Sequence, residues 1–135
     1  MKITRFEEIE AWKEARILVN CIYDCINSNN FFKKDFHLSN QIQGAAVSSM
    51  SNIAEGFSRK SNKKFIQYLF IAKRLAAEVQ SQLYVALDQK YITPKAFNKI
   101  YAQAEKVAKM SSGFIKYLRT HLSKPKQPNK LNQPK

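Results

Sequence analysis

Helix breakers are nearly missing from all but the last eleven residues of this chain. Only three glycines and four prolines occur in 135 residues, and three of those prolines lie in that final stretch. Gly and Pro are the residues that tight turns require, so a chain this poor in them builds few turns. Long helices are therefore expected, rather than a β sandwich that turns about every 8–12 residues. The length fits one domain, and a hydrophobic fraction of 44% is enough for one continuous core.

Four helical segments can be read along the chain. In the first, about Phe6 to Asn27, Phe6, Ile9, Trp12, Val19, Ile22, Tyr23 and Ile26 recur at the spacing of one helix face. Ser28-Asn29-Asn30 stops it, because these side chains compete for backbone hydrogen bonds, and Phe31 to Phe36 reads as a loop. The second segment, about Asp35 to Phe57, has small or widely spaced apolar positions (Leu38, Ile42, Ala45, Ala46, Ile53) interrupted by Ser39, Ser48, Ser49, Ser51 and Asn52. Small residues let helices approach closely, buried hydroxyls must then find partners, and Gly56 is expected to end the helix.

The third segment opens at Ser61, an N-cap, and reaches about Asp88. Phe65, Leu69, Ala72, Ala76, Val79, Leu83 and Leu87 form its main stripe. Ile66, Phe70, Ala77 and Tyr84 form a second stripe, which points to a subunit interface; the alternative is that Ile66 and Phe70 simply widen the core face. The fourth segment begins at Thr93-Pro94, a cap followed by proline at the first helical position. It carries Phe97, Ile100, Tyr101, Ala104, Ala108, Ser111, Ile115, Leu118 and Leu122 on one side. Short connections between long helices make neighbours antiparallel, so the expected fold is all-α, an up-down-up-down four-helix bundle over residues 1–122. Residues 123–135, with one large apolar residue, three prolines and four lysines, are expected to form a disordered basic tail.

Charge is distributed unevenly. Of the net +13, residues 1–58 contribute almost nothing, with 6 basic and 7 acidic residues, while residues 59–135 hold 17 basic and 3 acidic. Lys95, Lys99, Lys106, Lys109 and Lys116 lie on the polar side of the fourth segment within about 100° of arc, and Glu105 is its one acid. A solvated helix face normally mixes signs, whereas a stripe of one sign can follow a phosphate backbone. Arg59, Lys60, Lys63, Lys64 and the tail lysines, Lys124 and Lys126 among them, extend the basic surface. RNA or DNA is the expected partner, bound through phosphate with little base reading. A basic surface that serves solubility alone is the alternative.

The second segment also carries a resemblance. Gln41, Ala45-Ala46-Val47-Ser48, Ser51-Asn52-Ile53-Ala54-Glu55-Gly56-Phe57, Arg59, Ser61, Lys64 and Phe65 resemble the signature of the four-helix-bundle proteins encoded by intervening sequences within 23S ribosomal RNA genes. The similarity reaches back to Phe6, Glu10, Trp12, Ala15 and Ile22-Tyr23. It runs forward to Leu69, Ala72, Ala76-Ala77-Glu78, Gln82-Leu83 and Tyr91-Ile92. The family usually has Arg at the position of Gly44, Ile-Pro at Ser49-Met50 and Gly-Ser at Arg74-Leu75, so an expected kink in the second helix is lost here. The resemblance implies an antiparallel four-helix bundle assembled as a homo-oligomer, a ring of five. Similar bundles act as accessory proteins of diversity-generating retroelements, where a basic pentamer binds nucleic acid and a reverse transcriptase.

Catalytic chemistry finds no support. The two histidines, His37 and His121, do not combine with the cysteines or serines into a nucleophilic site, and there is no Gly-rich phosphate loop or helical His-Glu metal motif. Di-iron bundles need four carboxylates and paired Glu-x-x-His motifs, which are lacking, so no metal or cofactor is expected. Cys21 and Cys25, four apart in an apolar pattern, read as reduced core residues. Asn52, Glu55 and Arg59 read as a structural polar network that fixes the second helix against its neighbours. No stretch approaches the roughly 18–20 apolar residues that span a bilayer, and Met1 to Trp12 lacks an apolar signal core, so a cytoplasmic, non-membrane protein is expected. Two functions lead: a non-enzymatic oligomeric nucleic-acid-binding accessory protein, and an interaction scaffold whose ring docks a partner enzyme without touching nucleic acid; a membrane-surface protein is the weaker third, since the basic helices lack a large exposed apolar face once the core is packed.

Overall fold

A computed structural model describes residues 2–122, and all regular structure within them is helical. Five α-helices follow in order: α1 (Glu10–Asn27), α2 (Asn30–Lys34), α3 (Phe36–Ser58), α4 (Asn62–Asp88) and α5 (Pro94–Tyr117). A 3-10 turn, Phe6–Glu8, precedes α1, and a π turn, Leu118–Leu122, follows α5. The expected tail, 123–135, lies outside the described residues.

Four of the helices start where the sequence offers a side-chain acceptor for an otherwise orphaned N–H. The acceptors are Asn29 for Phe32 N–H (2.9 Å), Asp35 for Leu38 (3.1 Å), Ser61 for Lys64 (3.3 Å) and Thr93 for Ala96 (3.1 Å). Pro94 occupies the first turn after Thr93, as expected. Helix α1 begins otherwise. The helix expected from Phe6 is broken at Ile9, whose backbone is extended (φ −77°, ψ 122°) and whose side chain is buried. Turning Ile9 inward ends the first turn, and the Glu8 carboxylate reaches back to Thr4 N–H at 3.0 Å.

The core follows from spacing. Helix α4 buries Phe65, Leu69, Ala72, Ala76, Val79, Leu83 and Ala86, steps of four and three in strict alternation. That rhythm places Ala86 inside and leaves Leu87, expected there, on the shoulder. Helix α1 buries Ala11, Ala15, Leu18, Ile22 and Ile26. Tyr23, expected in the stripe, sits about 100° beyond Ile22 and is largely exposed. Helix α3 contributes mostly small residues (Ala45, Ala46, Ser49, Gly56) beside Leu38, Ile42 and Ile53. Helix α5 buries Val107, absent from its expected face, together with Phe97, Ile100, Ala104, Ser111 and Ile115. Each long helix packs against two others: α3 on α1 and α4, and α5 on α4 and α1.

The segment expected to be a loop is the short helix α2. Capping by Asn29 lets one turn form, and that turn buries Phe32 against the Tyr91 ring (centroids 5.1 Å apart, stacked). Asp35 joins both ends of this contact, capping α3 with one oxygen and accepting the Tyr91 hydroxyl at 2.9 Å with the other. Tyr91 is held there by the end of α4. Lys90 adopts a left-handed backbone (φ 64°), while Lys90 N–H and Tyr91 N–H bond Leu87 and Ala86 carbonyls at 2.9 Å each. This is a Schellman closure built on lysine, where glycine is the usual residue.

Gly56 does not end α3, which continues to Ser58, and no glycine has positive φ. Its role is close approach: a Cβ there would stand 2.6 Å from Tyr68 Cβ and 2.9 Å from the Phe65 ring of α4. Beside Gly44 there is only open space, so the family's Arg at that position would meet no obstacle. Two polar side chains of α3 find partners on their own helix, Ser49 donating to Ala46 O (2.7 Å) and Asn52 to Ser48 O (2.8 Å). The Ser111 hydroxyl of α5 is buried without a partner.

The two glycines should respond oppositely to alanine. By thermal or urea unfolding, Gly56→Ala is expected to cost about 1–3 kcal/mol through overpacking, and Gly44→Ala to add up to about 1 kcal/mol of helix propensity. Lys90→Gly should stabilise by about 0.5–1 kcal/mol, because it removes a left-handed Cβ penalty that exceeds the extra entropy glycine gains when unfolded.

Candidate nucleic-acid interface

Helix α5 turns its apolar positions inward, and the same period carries its lysines outward. Lys95, Lys99, Lys106, Lys109 and Lys116 are all exposed. From Lys95 to Lys116 the stripe runs about 32 Å at 1.5 Å per residue. Its sign is less uniform than the sequence implies. Glu14 of α1 reaches Lys106 Nζ at 3.5 Å and is itself held by Gln103, which donates to its carboxylate (2.9 Å) and its backbone carbonyl (2.8 Å). Lys106 is thus partly neutralised by a neighbouring helix. Glu105 is turned to α4, accepting from Gln80 Nε2 at 2.9 Å. Among the described residues, the four ion pairs leave Lys95, Lys99, Lys109 and Lys116 without an acid. Glu14 escaped the sequence reading because its partner lies on a different helix, some ninety residues on.

A second basic group gathers where α3 passes to α4. Lys60, Lys63 and Lys64 are exposed, and the first turn of α4 has no acidic residue. Cations at a helix N-terminus oppose the helix dipole, so this end favours an anion. Arg59 is more engaged. Its Nη2 donates to Glu55 Oε2 at 2.8 Å and to the Tyr68 hydroxyl at 2.6 Å, and its guanidinium lies 5.1 Å from the Tyr68 ring centre. The expected trio therefore does not close. Glu55 is exposed, and Asn52 bonds the backbone of its own helix; Tyr68 of α4 is the partner that ties Arg59 across the helices.

The four residues expected at a subunit interface separate in the structure. Ile66 is half-buried against the core, which fits the widened core face. Ala77 is exposed. Tyr84 is half-exposed but packs on Phe97 and Tyr101 of α5, with ring centres 4.8 and 6.1 Å away. Phe70, 41% exposed, has Lys73 Nζ at 5.9 Å and the Arg119 guanidinium at 5.5 Å from its ring centre. Among the described residues, the most exposed large apolar side chains lie elsewhere, in Phe31 (76%) of α2 and Phe36 (70%), which opens α3. The sequence does show them, flanking Lys33 and Lys34, in the stretch read as a loop.

Lys73 and Arg119 were not singled out by the sequence reading. With Phe70, Ser112, Ile115, Lys116 and Thr120 they line a groove of about 360 Å³ between α4 and the end of α5. The i, i+3 spacings of Phe70–Lys73 and Lys116–Arg119 were the available signal.

Cys21 and Cys25 are free and half-buried. Burial raises both thiols, Cys25 to about 12, and its Sγ–H donates to Ile22 O at 3.2 Å. Both are therefore protonated at neutral pH, the form that neither attacks nor ligates. Among the described residues no three His, Cys, Asp or Glu side chains gather as metal ligands, and no helix is long and apolar enough to cross a membrane. Lys124 and Lys126 lie outside the described residues.

No curated protein matches this chain. Among solved structures, a crystal structure of a protein of unknown function from the S23 ribosomal protein family of Bacteroides thetaiotaomicron is similar. It is 27% identical, with a TM-score of 0.66 over 78% of this chain and 94% of that one. Residues 7–113 match the family described as 23S rRNA-intervening sequence protein. With most of its length inside that match and its helices superimposing on a protein of the S23 family, the chain belongs to the 23S rRNA-intervening sequence proteins.

Proposed function

We propose that this protein is a non-enzymatic, homo-oligomeric accessory that binds the phosphate backbone of RNA or DNA in the cytoplasm, serving a reverse transcriptase or ribosomal RNA. The observation that carries the reading is the lysine row of α5, opposite the core, in which four of five ammonium groups have no acid partner among the described residues. Packing does not require that arrangement, since any polar residue would serve on that face. The unopposed lysines at the start of α4 add to it.

The frame we assign is an antiparallel four-helix bundle. Contacts between α4 and α5 support it: Phe65 meets Phe114, Gln80 meets Tyr101, and Tyr84 meets Phe97. Numbers rise along one helix as they fall along the other. The assembly we assign is the ring of five implied by the family resemblance, and a fold-level likeness of that kind is a weaker warrant than the site itself. A solution mass at five times 15.6 kDa is the expected value.

A second reading, an interaction scaffold that docks a partner enzyme, is favoured by Phe31 and Phe36, whose rings stand out into solvent. Under that reading, Phe31→Ser with Phe36→Ser abolishes docking while charge reversal on α5 does not.

If about six phosphates of a single strand are contacted, log K against log salt is expected to slope near −4 in fluorescence anisotropy titrations. Lys99→Glu with Lys109→Glu should flatten that slope and weaken binding with the helical circular dichroism unchanged. Lys106→Ala, whose ammonium already faces Glu14, should change binding less than Lys109→Ala. A flat salt response of the wild-type protein rejects the proposal.

A further inference from the structure

We propose that the groove around Phe70 receives one unpaired nucleotide, its base against the Phe70 ring and its phosphates on Lys73, Lys116 and Arg119, so that the protein prefers single strands to duplex. This rests on the reading of the protein as a polyanion binder and adds what kind of polyanion it takes.

Three features of the groove point there together. An aromatic ring 41% exposed sits between cations from two helices, Lys73 from α4 and Arg119 from beyond α5. Lys116 lines the same groove and belongs to the α5 stripe, so a backbone tracked along α5 is led to Phe70. The groove, about 360 Å³, falls in the range of small-ligand clefts, about 300–1,000 Å³, and Ser112 adds a half-buried hydroxyl to its lining.

The chemistry discriminates between occupants. An apolar surface of a second copy laid over Phe70 would take three cations out of water, and among the described residues no ion pair engages Lys73, Lys116 or Arg119. A nucleotide supplies the negative charge that the cations over the ring lack, and its flat base fits against the exposed part of Phe70. Base stacking on an aromatic side chain beside arginine is the usual grip on single strands. A duplex keeps its base faces inside the stack and presents phosphates alone, so Phe70 contributes to one and not to the other.

The test uses the full chain and labelled oligonucleotides of equal length, one single-stranded and one duplex, titrated by fluorescence anisotropy at fixed salt. Phe70→Ala is expected to weaken single-strand binding by about ten-fold, the loss of one stacked base, and to leave duplex binding within about two-fold. Phe70→Trp should restore single-strand binding, and only in this variant should a single strand quench fluorescence beyond the Trp12 background. Lys116→Ala should lower the salt slope for single strands by about 0.7. Equal effects of Phe70→Ala on both ligands, or none on either, would overturn the inference. If Lys99→Glu with Lys109→Glu abolishes binding while Phe70→Ala leaves the single-strand to duplex ratio unchanged, the polyanion reading stands and the groove assignment falls. If the wild-type protein binds neither ligand, both fall.

Discussion

Helix α4 is buried at every third or fourth residue from Phe65 to Ala86; α3 and α5 pack on that seam, and α1 packs on α3 and α5. Steps of four and three average 3.5 residues, close enough to the helical period that one narrow face stays inward from Phe65 to Ala86 of the 27-residue helix. On one side α3 meets it with small residues, so the backbones approach until Gly56 has no room for a methyl group. That approach lets rings interlock across three helices, Phe57 on Phe65 (6.1 Å) and Phe65 on Phe114 (5.2 Å), both edge to face. Such pairs contribute roughly 0.5–1.5 kcal/mol each beyond the area they bury, and they gather at the end where Gly56 sits.

A core satisfied by so narrow a face leaves the outer half of each helix free of packing demands. On α1 that freedom is spent on mixed charge, with Lys13 pairing Glu10 at 3.2 Å. On α5 it is spent on lysine. A chain of net charge +13 repels itself when compact, and the lysines that open α4 also stand against its dipole. Under the proposed function, a polyanion laid over these surfaces would offset that cost, which would couple binding and stability through the same ammonium groups. Lys106 is the exception that fits, because it is the one lysine of the row that faces an acid across a helix boundary, and it secures α5 to α1.

What the sequence made legible follows the range of the interactions involved. The caps Ser61 and Thr93 act over three residues, and the helices they start are where the local pattern puts them. The break at Ile9 and the short helix α2 depend on burial against distant groups: Phe32 stacks on Tyr91, whose hydroxyl bonds Asp35, 56 residues away. No local pattern encodes that pairing. Gly56 carried two meanings, helix end or close approach, and only the position of Tyr68 decides between them. The lysine row was readable because it is a periodic feature of one helix, whereas Glu14 and Arg119 meet their partners, Lys106 and Phe70, on other helices.

The run from Asn52 to Phe57, the most recognisable part of the chain, has a packing explanation throughout. Ile53 fills the core, Gly56 admits α4, and Phe57 sets its ring against Phe65. Asn52 bonds Ser48 O, and Glu55 holds the Arg59 guanidinium that grips Tyr68. Gly56, Phe57 and the Glu55–Arg59 pair fix how α3 joins α4, and none of them lines the Phe70 groove. The signature therefore identifies the family and the α3–α4 junction, and the surfaces on which the proposed function rests lie outside it. For this chain the outward positions are lysine on α5 and a cation-flanked phenylalanine on α4, and it is their chemistry, rather than the family's fold, that argues for a negatively charged strand.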